Sequence, residues 1–240
     1  MIPGIGTIIN VIAIIIGSFV GKLGGNLLPE RTRTLITDVL GAVTLLGAAS
    51  ALMALWDEEM GSLPSGSPIL IILGALLLGG LIGSAFQLEK RLEDWGESLK
   101  RKLARDSDSG FVEGFVTASL IFVIGPLAIL GSISDGMSTG IEQLILKSTL
   151  DFFAAIAFAA TFGLGVALSA LPVGLYQGAW TISGIFLGEL LNELQIAAMT
   201  ATGGVLLFGI ALKLLKVRQM AIGDLLPALA IAPLLATLFG

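Results

Sequence analysis

The chain reads as an all-α polytopic membrane protein. Three observations predict that class: long apolar runs, few charges, and bases gathered into a few places. Of its 240 residues 55% are hydrophobic, only 13% are charged, and 32 are glycine. Soluble domains carry about a quarter charged residues, and glycine is commoner in membrane helices than in soluble ones. All but one of the thirteen Lys and Arg residues fall in three gaps between apolar runs. Lys22, Arg31 and Arg33 share the first gap. Lys90, Arg91, Lys100, Arg101, Lys102 and Arg105 share the second, and Lys213, Lys216 and Arg218 the third. Alternate crossings would bring these gaps to one side, and an excess of Lys and Arg marks cytoplasmic loops. Segment 56–68, on the opposite side, carries Asp57, Glu58 and Glu59 and no base.

A crossing helix needs roughly 20 mostly apolar residues. Eight such spans are predicted, at about 5–28, 33–56, 67–87, 111–132, 141–169, 173–191, 196–214 and 221–239, with six or seven as the alternative. The first run lacks the positive stretch of a signal peptide and is expected to be retained as a span. The basic gaps place both termini outside when the count is even. Pro227 and Pro233 fall in the last span and make it the most prone to irregularity. Between the third and fourth spans, Leu88, Leu92, Trp95, Leu99 and Leu103 recur at helical spacing among charged residues. That stripe suits an amphipathic helix on the cytoplasmic membrane surface, acting as a tether. Asp106 to Gly110 then reads as a loop capping the fourth span.

Internal likeness suggests two halves. Gly6–Gly17 and Gly114–Gly125 have the same length and the same terminal glycines. Gly74, Ala75, Gly80 and Glu89 match Gly178, Ala179, Gly184 and Glu193 at a constant offset of 104. Residues 1–86 would form a first repeat of three spans, 87–110 a linker, 111–195 a second repeat, and 196–240 two further spans. An odd number of spans per unit forces opposite orientation, which is the inverted repeat of many transporters. Each unit's first helix carries weakening residues at the matching place. These are Gly17-Ser18 in one half and Gly125-Pro126, followed by Gly131, in the other. Paired interruptions point to a binding site between repeats, since freed backbone groups at membrane depth need protein or water around them. The pairs Gly17/Gly21, Gly80/Ser84 and Gly184/Gly188 are small faces for helix packing, within the chain or between copies in a homo-oligomer.

The chain has neither Cys nor His. This removes disulfides, thiolate or imidazole metal sites, and Ser–His or Cys–His catalysis. No cofactor, metal or enzymatic activity is expected, and a net charge of −5 without a basic tail implies no nucleic-acid partner. The chief chemical signal is Lys147 with Asp151. They stand four residues apart, on one helical face, deep in an apolar run. An ionisable group at the bilayer centre costs about 2.5–3.5 kcal/mol on insertion scales, so its presence suggests use. Asp151 would bind or relay a cation or proton, with Lys147 as counter-charge; self-neutralisation of the pair is the structural alternative. Ser148, Asn10, Ser132, Asp135 and Gln177 are candidates for a polar path, and Asp38, one turn inside the second span, is a further one.

Two segments carry a resemblance. Gly125-Pro126-Leu-Ala-Ile-Leu-Gly-Ser-Ile-Ser-Asp-Gly136 and Lys147-Ser-Thr-Leu-Asp151-Phe-Phe-Ala-Ala, with 171–178 behind them, resemble the YqgA/YdfK-like bacterial inner-membrane proteins. The opening Gly-Thr-Ile-Ile-Asn10 run and Leu28-Pro-Glu-Arg31 fit as well. The resemblance implies a bacterial plasma-membrane location and importance for Lys147, Asp151 and the Gly-Pro segment; it names no substrate. The expectation is a secondary transporter of a small ion or solute in the lipid bilayer. An oligomeric ion channel and a non-transporting scaffold are the alternatives.

Overall fold

A computed structural model describes residues 2–25, 27–103, 110–187 and 191–239. Its helices are α1 (Ile5–Gly25), α2 (Glu30–Leu52), α3 (Glu58–Gly61), α4 (Ser67–Phe86), α5 (Leu88–Leu103), α6 (Phe111–Val123), α7 (Pro126–Gly136), α8 (Glu142–Phe162), α9 (Gly165–Leu168), α10 (Ala170–Leu187), α11 (Glu193–Leu214) and α12 (Ala228–Phe239). Short 3-10 turns lie at Met53–Trp56 and Ile222–Leu225, and no strand occurs among the described residues. In an apolar medium a helix satisfies its own backbone, so even the β-branched run of α1 is helical. The ends follow ordinary capping. Asn192 and Gln195 form a reciprocal capping box at α11, and Gln87 closes α4 in a left-handed conformation.

Six stretches are long and apolar enough to cross a membrane: Ile5–Gly25, Glu30–Trp56, Ser67–Phe86, Glu142–Phe162, Glu193–Leu214 and Ile222–Phe239. The pair α6–α7 makes a seventh, bent by 63°. The number among the described residues is therefore six or seven rather than eight. The stretch expected at 173–191 is helical as α10 up to Leu187 and is not among these six; residues 188–190 lie outside the described residues. The span expected over 141–169 ends sooner, at Phe162, where Gly163 turns the chain.

Of the two expected interruptions one exists. α6 stops at Val123, Gly125 takes φ +138°, and Pro126 opens α7. Only glycine adopts that backbone conformation freely, and proline suits a helix start, where no N–H bond is required. Gly17-Ser18 does not break its helix, because α1 runs on to Gly25. Gly131 likewise lies inside α7. Gly17, Gly21 and Gly25 serve close packing instead. A Cβ on each would strike the backbone of Phe152, Ile156 and Ala160 respectively. Both series advance by four, so α1 and α8 run parallel with ridge against ridge.

The helices gather into two compact units. The first comprises Met1–Leu40, Leu92–Val123 and Leu127–Leu190; the second comprises Gly41–Arg91, Ile124–Pro126 and Leu191–Gly240. In the first, α1 packs on α8, α9 and α10, and α6 packs on α8, α9 and α10. α10 runs antiparallel to α1: Thr7 meets Thr181, Asn10 meets Gln177 and Val11 lies by Gly174. In the second, α4, α11 and α12 meet through small residues. Ala75, Ala197, Ala198, Ala201, Ala228, Ala232 and Ala236 are all buried in one cluster with Met60 and Ile71. Close approach through alanines supplies the packing that lipid would not drive.

α5, at Leu88–Leu103, is the amphipathic helix expected over 87–105. Glu89 stands in its first turn and Lys100, Arg101 and Lys102 in its last, each complementing the helix dipole. In the first unit Trp95 meets Phe115 edge-to-face at 5.9 Å, and Gly96 is buried against the same ring. Arg105, the capping loop at 106–109 and Gly188 lie outside the described residues.

Candidate functional site

The first unit holds a polar cluster where apolar packing would be the default. Asp151 lies nine residues after the start of the 21-residue helix α8, about 13 Å along its axis. Lys147 reaches its Oδ2 at 2.7 Å, both residues being buried. Asn10 of α1 donates from Nδ2 to the same oxygen at 3.0 Å, and to Oε1 of Gln177 on α10 at 3.3 Å. Asn10 and Gln177 are wholly buried. The helices supply these residues because α1 approaches α8 through Gly17, and α10 approaches α1 through Gly174, beside Val11.

The amide orientations follow from the carboxylate. An ionised Asp only accepts, so Asn10 must present its amino group to Asp151. Gln177 must then present its carbonyl to that amino group. Two opposite valences are left over. Asn10 Oδ1 has no donor and Gln177 Nε2 has no acceptor, and both atoms are buried. Nearly all buried polar atoms are paired in folded proteins, so an unpaired set at one place calls for an explanation such as a ligand, an ion or water.

One turn along α1 lies a second polar layer. Asp135, near the end of α7, is wholly buried. Its Oδ2 accepts from the backbone N–H of Gly6 at 3.0 Å and of Thr7 at 3.4 Å. It therefore caps the N-terminus of α1 across the fold, where a negative charge is favoured. Its Oδ1 has no partner. The hydroxyls of Thr7 and Thr181 meet at 3.3 Å beside it. Three of the four buried side-chain atoms without a partner among the described residues thus belong to Asn10, Asp135 and Gln177; the fourth is Arg33 Nε.

The structure brings together Asn10, Asp135, Lys147, Asp151 and Gln177. It does not bring Asp38, which is exposed on α2. Ser132 and Ser148 are buried, but each donates to its own helix, at Ala128 and Leu144, both at 2.6 Å. Such back-bonding satisfies the hydroxyl locally. The small faces of Gly17, Gly21, Gly80 and Gly184 all press on neighbours in the same chain: α8 for the first two, Leu225 for Gly80 and Ile133 for Gly184.

Sequence reasoning missed a charged cluster in the second unit. Glu89 accepts from Lys213 at 2.9 Å through Oε1 and from the backbone N–H of Gly223 through Oε2. The N–H of Glu89 in turn donates to Asp224 Oδ1 at 2.9 Å, so Asp224 caps α5 as Asp135 caps α1. The signal was present: Glu89 falls with Leu92 and Gly96 at the spacing of an inward-facing stripe.

Long apolar helices define a polytopic α-helical membrane protein, and among them lies a buried, charged and incompletely paired cluster. The chain belongs to the family described as "Protein of unknown function (DUF554)", which matches residues 5–237. It is 30% identical over 229 residues to the "Uncharacterized membrane protein YdfK" of Bacillus subtilis (strain 168), covering 95% of this chain and 93% of the relative. It is also 30% identical over 235 residues to the "Uncharacterized protein YqgA" of Escherichia coli (strain K12), covering 95% and 94%. No solved structure matches the chain.

Proposed function

We propose that this protein is a secondary transporter, not an enzyme, moving a small ion or solute across the bacterial plasma membrane under coupling to a cation or proton. The observation that carries this reading is the mid-span cluster in which Lys147 and Asn10 converge on Asp151 while Asn10 Oδ1 and Gln177 Nε2 stay unpaired. Charges kept at such depth pair with one another and mark ion pathways and proton relays. Lys147 and Asn10 both donate to Oδ2 of Asp151. An incoming cation or proton competes with Lys147 for the carboxylate. Lys147 returns when the ion leaves, so the carboxylate is never left unpaired.

The arrangement of segments supports a site between two inverted repeats. Asn10 comes from the expected first half, and Lys147, Asp151 and Gln177 from the second. The broken helix α6–α7 ends at the cluster's other carboxylate, Asp135. The pairing of Glu89 with Lys213 joins the second and third basic gaps, as expected if both face the cytoplasm. Counting α10 and the bent pair as crossings returns both termini to the outside. Gly17, Gly21, Gly80 and Gly184 pack within the chain, whereas Gly24, Gly47 and Gly178 have nothing within 4 Å and would be open to a second copy.

The test is proton and Na⁺ flux into proteoliposomes under an imposed gradient, wild type against Asp151→Asn. Flux in the wild type that vanishes in a folded Asp151→Asn protein is the expected result. Equal flux in both would reduce Lys147–Asp151 to a structural pair.

A further inference from the structure

We infer that Asp135, with the hydroxyls of Thr7 and Thr181 and the side-chain carbonyl of Asn10, forms a second site, one that takes a small monovalent alkali cation such as Na⁺. For its use in transport this rests on the reading above; as a binding site it stands on its own geometry.

An aspartate one residue from the C-terminal end of a helix opposes that helix's own dipole. Asp135 is nevertheless placed there, wholly buried, on the broken span. The N-terminus of α1 compensates one oxygen only, through Gly6 and Thr7. Oδ1 keeps its lone pairs without a donor. A buried carboxylate oxygen without a partner is costly and calls for a cationic or donor group.

The chemistry of the surrounding atoms selects among the candidates. Lys147 already serves Asp151, and among the described residues no basic side chain pairs with Asp135. A monovalent ion neutralises it; a divalent ion would leave a buried positive charge. The neighbours are neutral oxygens. Thr7 and Thr181 stand with their hydroxyl oxygens 3.3 Å apart. Oxygens held about 2.3–2.6 Å from one hard cation, at right angles, lie about 3.3–3.7 Å apart. Asn10 Oδ1, three residues along α1 from Thr7, is the remaining unpartnered acceptor. A proton needs a single acceptor, whereas this set of hard oxygens suits a metal ion. Gly6 keeps the place open: a Cβ there would press on Leu144 and come within 3.1 Å of Asp135 Oδ2.

The experiment is equilibrium binding of radioactive sodium to the full chain in detergent micelles, with choline chloride holding ionic strength. Saturable binding, displaced by Li⁺ and not by choline, is expected. Asp135→Asn keeps a carbonyl for the Gly6 and Thr7 N–H groups but removes the charge, and should weaken binding by about tenfold or more. Thr181→Val leaves the α1 cap untouched and should weaken it several-fold, which decides the matter if Asp135→Asn does not fold. No saturable binding to the wild type would overturn the site, as would wild-type affinity in a folded Asp135→Asn or Thr181→Val protein. Sodium binding without any flux would support this site while overturning the transport reading. Proton-driven flux without sodium binding would overturn the site and retain transport.

Discussion

Lys147 and Asp151 form a buried ion pair on one face of α8, the ammonium nitrogen 2.7 Å from Oδ2 of the carboxylate. Removing one partner of a buried pair costs about 3–5 kcal/mol, whereas apolar residues of similar volume at both positions are often neutral or stabilising. Lys147→Met alone should therefore lower thermal stability in micelles sharply. Lys147→Met with Asp151→Leu should restore it and abolish flux. A double variant that transports normally would refute the role given to Asp151.

Gln177 offers a cleaner separation of stability from function. It accepts one hydrogen bond, at 3.3 Å, and leaves its amide nitrogen unpaired. Gln177→Leu removes that unpaired group, and Asn10 still has Asp151 as acceptor. Stability should change by less than about 1 kcal/mol, since losing a weak bond and an unmet donor nearly cancel. Flux should fall strongly. Chemical denaturation and liposome flux on the same preparation check both halves.

The α1–α8 contact predicts a sharp contrast between two glycines. Gly21→Val should destabilise by about 1–3 kcal/mol or more, because its side chain would meet the backbone of Ile156. Gly24→Val, with nothing within 4 Å, should stay within about 0.5 kcal/mol. Melting curves of the two proteins suffice.

At the bend the two adjacent residues should behave oppositely. Gly125→Ala forces a side chain into φ +138° and should cost about 1–3 kcal/mol. Pro126→Ala sits at a helix start and should cost less than about 1 kcal/mol, mainly through a less restricted unfolded chain. The reverse order would place the origin of the bend in the proline.

In the second unit, Glu89→Ala strands Lys213 and the N–H of Gly223. A loss of up to about 3–5 kcal/mol is expected, little changed by salt because Glu89 is buried and the Lys213 side chain is only 15% exposed. A loss that disappears at high salt, or none at all, would show the pair to be solvated.

What the sequence made legible was what local spacing encodes. Lys147 and Asp151 could be paired from a four-residue interval on one helix, and Gly125-Pro126 marked a break because both residues act on their own backbone. α5 announced itself by period and charge. Gly17 was misread for the complementary reason. A glycine in an apolar run signals either a weak helix or a close neighbour, and only the position of Phe152 decides. Asn10 and Gln177 could be suspected separately, but their meeting depends on α1 and α10 running antiparallel, which no local interval encodes. The same holds for Asp135 capping α1 and for Glu89 meeting Lys213.

The parallel contact of α1 with α8 has a consequence for how the molecule is made. Asn10 and Asp151 lie 141 residues apart. At synthesis rates of about 5–20 residues per second, α1 waits about 7–28 s in the membrane before its partner emerges. Throughout that interval its amide and its glycine-lined face meet lipid or the insertion machinery rather than α8. A nascent chain halted before Glu142 has a first helix that Asp135 can cap at its N-terminus but that lacks its partner α8. Quality control of this protein should accordingly act on α1, which is made well before the helix that completes it.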